Sequence, residues 1–302
     1  MMQFKKRSQI QEASADKIFL FLIRFILVIV LVAIIYPLYY ILIASFSDPQ
    51  AIYEGQVVLV PKGFTIEGYQ RLLVDNTIPR GYFNTIVITV IGTALSVFLT
   101  ITAAFALANR HLKGRGIVTG FFAFTMFFNG GMIPTYLTVR NMGLLNTWWA
   151  LILPGVVGAW NLFLVRTFYQ TTIPEELFEA ATIDGASITY YYYKIVLPLS
   201  QAIISVMALY YGVGYWNLFF PALLYIRDEA LYPLQLVLRN IILENESLGM
   251  SDMDAVTVAA RQRIADLLKY SSMIVASAPL LAAYPFLQKY FAQGSMVGSV
   301  KG

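Results

Sequence analysis

Apolar residues fill six long stretches of this chain, and the charged residues collect between them. The stretches cover residues 25–47, 83–109, 117–139, 148–165, 195–226 and 270–288, and none contains Lys, Arg, Asp or Glu. A hydrocarbon core of about 30 Å takes about 20 apolar residues in helical form. Helices also satisfy their own backbone hydrogen bonds where water is absent. The pattern therefore predicts an all-α membrane protein with six transmembrane helices, at about 25–47, 83–109, 117–139, 148–165, 199–226 and 270–288. The fourth stretch is the shortest and the fifth is overlong.

The cations between the stretches set an orientation. Lys5, Lys6, Arg7, Lys17 and Arg24 precede the first stretch, and Arg110, Lys113 and Arg115 fill the short second connection. Cytoplasmic loops hold the excess of Lys and Arg, so the N-terminus is expected inside and, after six crossings, the C-terminus too. This divides the chain into a cytoplasmic segment 1–24, a transmembrane domain 25–291 and a cytoplasmic tail 292–302. The first stretch is too long for a cleaved signal peptide, and no small-residue cleavage site follows it. Two outer connections are long, 48–82 and 227–269. Within the second, Val256, Ala259, Ala260, Ile264, Leu267 and Leu268 have helical spacing. Such segments either meet an extracellular partner or lie on the bundle as interfacial helices.

Composition agrees. Of 302 residues 58% are hydrophobic and 13% charged, against about 25% charged in soluble domains. The net charge of +4 is scattered over short loops without a basic stripe, which argues against nucleic acid. With no cysteine and a single histidine, His111, thiol chemistry and a histidine metal cluster are excluded. His111 lies in the basic loop and is expected to be solvated.

One inner connection, 171–198, has the sequence TTIPEELFEAATIDGASITYYYYKIVLP. Thr172 with Glu175 reads as a capping box, Pro174 suits a first helical turn, and Gly185 suits a left-handed helix end. A second short helix is expected from Ser187. Ile173, Leu177, Ala180 and Ala181 fall on one side of the first helix, with Glu176, Glu179 and Asp184 more exposed.

Within it, Glu179-Ala180-Ala181 is followed after three residues by Gly185 and after nine more by Ile195, Leu197 and Pro198. This resembles the EAA signature of binding-protein-dependent ABC importer permeases, at every fixed position and on the loop where that family carries it. Looser stretches resemble the maltose-type carbohydrate branch, in particular its oligosaccharide and polysaccharide-fragment importers: FNGGMIPTYL (128–137), LLNTWWALILPG (144–155), YPFLQKYF (284–291) and GSVKG (298–302).

The resemblance implies a type I importer-like permease fold in the bacterial cell membrane, forming half of a translocation pore for a carbohydrate. It also implies a second permease, expected to be a different chain, two cytoplasmic ATPase subunits and an extracytoplasmic solute-binding protein. The 171–198 segment would be the coupling loop, with Glu179 the polar contact to an ATPase, Ala180, Ala181 and Gly185 the close-approach and turn positions, and Asp184 a further polar cap. The chain has no G-x-x-x-x-G-K-[ST] phosphate loop, so no cofactor is expected on it, and ATP with Mg²⁺ belongs to the partner subunits.

For the sugar pathway, the fifth stretch offers aromatic and amide groups together in Tyr210, Tyr211, Tyr215, Trp216 and Asn217. Helix packing is the competing role for such residues. Asn129, Gly130, Gly131 and Pro134 mark a kinked or unwound point in the third stretch. Trp148, Trp149 and Tyr190 to Tyr193 read as interfacial belt residues. Two other classes remain open on the residues alone. An ion-coupled secondary transporter would normally place an ionisable group within a span, and a membrane enzyme would need a catalytic cluster. Neither is seen in the six stretches. Within the importer class, a non-sugar solute is the alternative cargo.

Overall fold

The computed structural model describes residues 14–74, 76–247 and 263–282, and among these the regular structure is entirely helical. The principal helices are α1 (Ser14–Ala44), α2 (Thr77–Ala108), α3 (Arg115–Phe127), α4 (Met132–Asn141), α5 (Ala159–Thr172), α6 (Glu175–Ile183), α7 (Ile188–Leu199), α8 (Gln201–Trp216), α9 (Leu234–Ser247) and α10 (Arg263–Ala282). Among the described residues, three apolar segments are long enough to cross a membrane: Lys17–Ala44, Thr77–Ala108 and Arg263–Ala282. Two broken pairs raise the number to five, Trp149–Gly155 with α5, bent by 50°, and α7 with α8, bent by 77°.

The expected third span is thus two helices. α3 has 13 residues and α4 has 10, about 20 and 15 Å at 1.5 Å per residue, each short of a full crossing. Between them Gly131 takes φ +88°, and Asn129 Oδ1 accepts the Gly131 N–H at 2.9 Å. Pro134 then falls in the first turn of α4, where its missing N–H is not needed. The overlong fifth stretch is resolved differently, since its first residues belong to α7 and the chain turns sharply at Ser200. The YPFLQKYF and GSVKG motifs, the Lys5 to Arg7 cluster, residues 283–288 and most of 252–268 lie outside the described residues.

The core is organised by α2. Ile88, Gly92, Ser96, Thr100 and Ala104 recur every four residues and are all buried. They form one ridge of a helix surface, and small residues let a neighbouring helix approach closely. α8 packs along this ridge, and α5 and α9 complete the surround. At the other end of α2, Asn84 Nδ2 donates to the carbonyls of Ala230 and Tyr232, both at 2.9 Å. Thr85 Oγ1 accepts the Leu234 N–H at 2.8 Å. These polar side chains supply partners to backbone groups of the connection before α9, where the only regular structure is the 3₁₀ turn Glu229–Leu231.

α1 stands apart, with none of its apolar window buried. Beyond it, the 48–66 connection folds back along the helix, and Tyr36 and Tyr39 donate to the carbonyls of Val58 and Leu59. Arg263 of α10 pairs with Asp48 at 3.0 Å and with Glu67 at 3.5 Å, and Tyr53 donates to Asp266. The 48–82 and 227–269 connections are therefore tied to one another.

Candidate functional site

The 171–198 segment forms two helices that turn at Gly185. α5 runs on to Thr172, and Pro174 is the N-cap of α6, with no side-chain cap bond. The expected capping box is absent because Thr172 is spent in the preceding helix. Glu175 turns outward instead and pairs with Arg110 at 3.1 Å. Gly185 adopts φ +72°, the left-handed conformation that glycine takes without penalty. A Cβ there would meet nothing within 4 Å, so its constraint lies in the backbone alone. Ser187 caps α7 by accepting the Tyr190 N–H at 3.2 Å.

The face of α6 that meets the bundle differs from the expected one. Phe178 and Ala181 point inward, with Ile173 beside them. Leu177 and Ala180 are exposed together with Glu176, Glu179 and Asp184. Phe178 packs edge-on against Tyr191 at 5.3 Å and stacks on His111 at 6.1 Å, so His111 has an aromatic neighbour that sequence did not suggest. Helical spacing held the signal, because Phe178 lies three residues before Ala181. Ile183 is 86% exposed and Ile188 58%. The outward surface of this hairpin is thus apolar residues interleaved with the carboxylates of Glu175, Glu176, Glu179 and Asp184.

Tyr190 to Tyr193 divide between two environments. Tyr191 and Tyr192 are buried and pack on Phe105 at 6.2 and 4.7 Å, while Tyr190 and Tyr193 are exposed. Only the latter two have the exposure of interfacial belt residues. The backbone of Tyr192–Val196 widens into a π-helical turn, a form that often marks functional segments. A cavity of about 530 Å³ lies under the hairpin, between Asn109, Arg110 and His111 on one side and Tyr169, Glu175 and Phe178 on the other.

The fifth-stretch candidates separate in the same way. Tyr211 and Tyr215 are buried against α2, where Tyr211 shares a 2.7 Å hydrogen bond with Thr100 and Tyr215 one of 2.9 Å with Ser96. Tyr211 Oη also accepts the Gly158 N–H at 3.1 Å, and Tyr215 donates to the Ile152 carbonyl at 3.3 Å. Both hydroxyls serve the joints of the bundle, Tyr211 at the break before α5. Trp216 is buried too, and its indole donates to the Ala276 carbonyl at 3.0 Å. These three rings thus take part in helix packing, the competing role for such residues. Tyr210 and Asn217 are exposed, and Asn217 lies beside an open cavity of about 630 Å³ that Gln235 and Arg239 also line. Asn129 is exposed as well, with its carbonyl committed to the Gly131 turn. Among the described residues no cluster of His, Asp or Glu is arranged to hold a metal.

A helical membrane bundle with an exposed two-helix hairpin between broken spans is the form of a transporter's membrane subunit. No protein-family profile matches the chain. The chain is 44% identical over 269 residues to Protein LplC of Bacillus subtilis (strain 168), covering 89% of this chain and 90% of that protein. It is 39% identical over 284 residues to the polygalacturonan/rhamnogalacturonan transport system permease protein YtcP of the same organism, covering 93% and 96%. It also superposes, with a TM-score of 0.81 and 29% identity over 92% of this chain and 98% of the other, on a subunit in the crystal structure of a bacterial ABC transporter involved in the import of the acidic polysaccharide alginate. The chain belongs to the permease subunits of binding-protein-dependent ABC importers, in their carbohydrate branch. It is a multi-pass bacterial membrane protein and not itself an ATPase.

Proposed function

We propose that this subunit forms half of the pore through which an oligosaccharide or polysaccharide fragment enters the cytoplasm, driven by two ATPase subunits, one of which docks on the α6–α7 hairpin. The observation that carries the coupling role is the exposed face of α6, where Ile183 and Ala180 stand beside Glu176, Glu179 and Asp184 while Phe178 and Ala181 anchor the opposite side. Such a face suits a cleft in another protein better than it suits water. Glu179 and Asp184 are its polar contacts, Ala180 permits close approach of the cleft, Ala181 lets α6 lie close on the bundle, and Gly185 sets the angle of the turn.

Under this reading the chain crosses the membrane six times, with 1–24 and 292–302 in the cytoplasm, 25–291 forming the permease domain and α3 with α4 making the interrupted third crossing. A second permease, a different chain, completes the pore, and an extracytoplasmic binding protein delivers the sugar. ATP and Mg²⁺ act on the ATPase subunits. The cargo class is supported by the Bacillus subtilis relative named for polygalacturonan/rhamnogalacturonan transport and by the structure of the alginate importer. Vesicles holding the permease pair and the ATPases test it: ATP-dependent oligosaccharide uptake that requires the binding protein is expected. Import of a non-carbohydrate solute alone overturns the cargo. Full uptake after deletion of 175–183, at equal membrane abundance, overturns the coupling role.

A further inference from the structure

A cation lines the 630 Å³ cavity beside Asn217, and nothing on this subunit's described surface answers its charge. Arg239 lies in α9, half-buried, with its guanidinium carbon 5.2 Å from the centroid of the Phe219 ring. Among the described residues no carboxylate forms an ion pair with it. Gln235, one helical turn earlier, turns its amide toward Asn217 at 3.5 Å, and Asn217 Nδ2 donates to the Val213 carbonyl at 2.9 Å. The rest of the lining is largely apolar, including Leu238, Met273 and Leu280.

We propose that Arg239, Phe219, Gln235 and Asn217 form a subsite for a saccharide unit that carries a carboxylate, such as a uronic acid residue. The inference rests on the carbohydrate-import reading above and adds the charge of the cargo. A guanidinium held over an aromatic ring keeps its edge N–H groups free, and those groups form a planar fork that matches a carboxylate. Apolar walls reduce the water that would otherwise solvate the cation, so an arriving anion is favoured more strongly than at an open surface. The two amides lie where hydroxyls of the same sugar unit can exchange hydrogen bonds, and Phe219 offers an apolar ring. Neutral sugars would find the ring and the amides sufficient; the cation is the group that only an acidic sugar uses. The cavity falls within the range of about 300–1,000 Å³ seen for small-molecule sites.

The test uses the whole importer, both permeases with the ATPases and binding protein, reconstituted in vesicles. Uptake of an oligogalacturonate of two to four units is compared with uptake of the same oligomer after its carboxyl groups have been reduced to alcohols. For Arg239→Gln the ratio of acidic to neutral uptake is expected to fall about tenfold, the effect of losing one charge-assisted contact. Arg239→Lys, which keeps the charge and loses the fork, is expected to recover part of it. An unchanged ratio in Arg239→Gln overturns the proposal. Loss of the second permease on co-purification also overturns it, because Arg239 would then be an intersubunit ion pair. A wild-type importer that carries only the neutral oligomer overturns the subsite while leaving carbohydrate import standing, and one that carries only a non-saccharide solute overturns both.

Discussion

Three ring carbons of Tyr215 lie 2.8 to 2.9 Å from the place a Cβ would occupy on Gly92. Tyr215 is not free to yield, because its hydroxyl bonds Ser96 and the Ile152 carbonyl. α2 and α8 therefore meet at a contact that tolerates no side chain. Gly92→Ala should overpack the joint and cost roughly 1–3 kcal/mol. Gly214→Ala, where a Cβ meets nothing within 4 Å, should be neutral or slightly stabilising. Thermal unfolding of the two variants in one detergent checks this, and equal midpoints would count against the tight joint.

The second joint is Thr100 with Tyr211, which also holds the Gly158 N–H at the break before α5. Tyr211→Phe should lower stability by about 0.6–1.7 kcal/mol, the range found for hydrogen bonds between membrane helices. Thr100→Val should do the same. The double variant should cost less than the sum, because each single change already breaks the shared bond. Strict additivity would mean the two hydroxyls do not interact.

Gly185 separates backbone from contact. No neighbour limits a side chain there, yet φ is +72°, a conformation that costs an ordinary L-residue about 1–2 kcal/mol. Gly185→Val should lose most ATPase association and uptake, while Gly185→Asn, which tolerates this region, should keep much of both. Co-purification at equal membrane abundance is the measurement. Similar association in the two variants would remove the turn from the coupling role.

Phe178 and Ile183 lie on opposite sides of α6, one packed and one exposed. Phe178→Ala should loosen the helix by roughly 1–3 kcal/mol, seen as faster hydrogen exchange across Glu175–Ile183 in the isolated subunit. Ile183→Ser should leave exchange unchanged and weaken ATPase binding. Faster exchange in Ile183→Ser would mean that its side chain supports the fold.

The length and charge patterns made α1, α2 and much of α10 legible from sequence, since a run of 20 apolar residues has few other uses. Helix breaks were harder. Asn129-Gly130-Gly131 announced one break through residue type, but Ser200 gave no such sign, and a sequence window cannot distinguish an overlong span from two helices meeting at an angle. The turn at Gly185 and the cap at Ser187 were readable because each depends on one residue's local chemistry. The roles of Tyr211 and Tyr215 were not, because a tyrosine inside a span fits a sugar path and a helix joint equally well until its partner is known. That partner was the Gly92, Ser96, Thr100 ridge, whose four-residue spacing was present in the sequence and signalled a contact without naming its other side. Arg239 carries no functional signal in the sequence because it falls in a long connection, where a charge is ordinary.

The bend between α7 and α8 gives the hairpin a mechanical meaning. The two helices meet at 77° through Ser200 alone. Ser200 is fully buried and braced by its Oγ bond to the Val196 carbonyl at 2.6 Å, while its own carbonyl accepts the Ile204 N–H at 3.0 Å. A corner held in this way turns a force instead of absorbing it. If α6 and α7 are drawn sideways by a closing partner, α8 must swing about the same pivot, and α2 must follow because Tyr211 and Tyr215 clasp it. On the coupling role proposed above the pair is a bell crank, in which the shorter arm α7 sets the tilt of the longer arm α8.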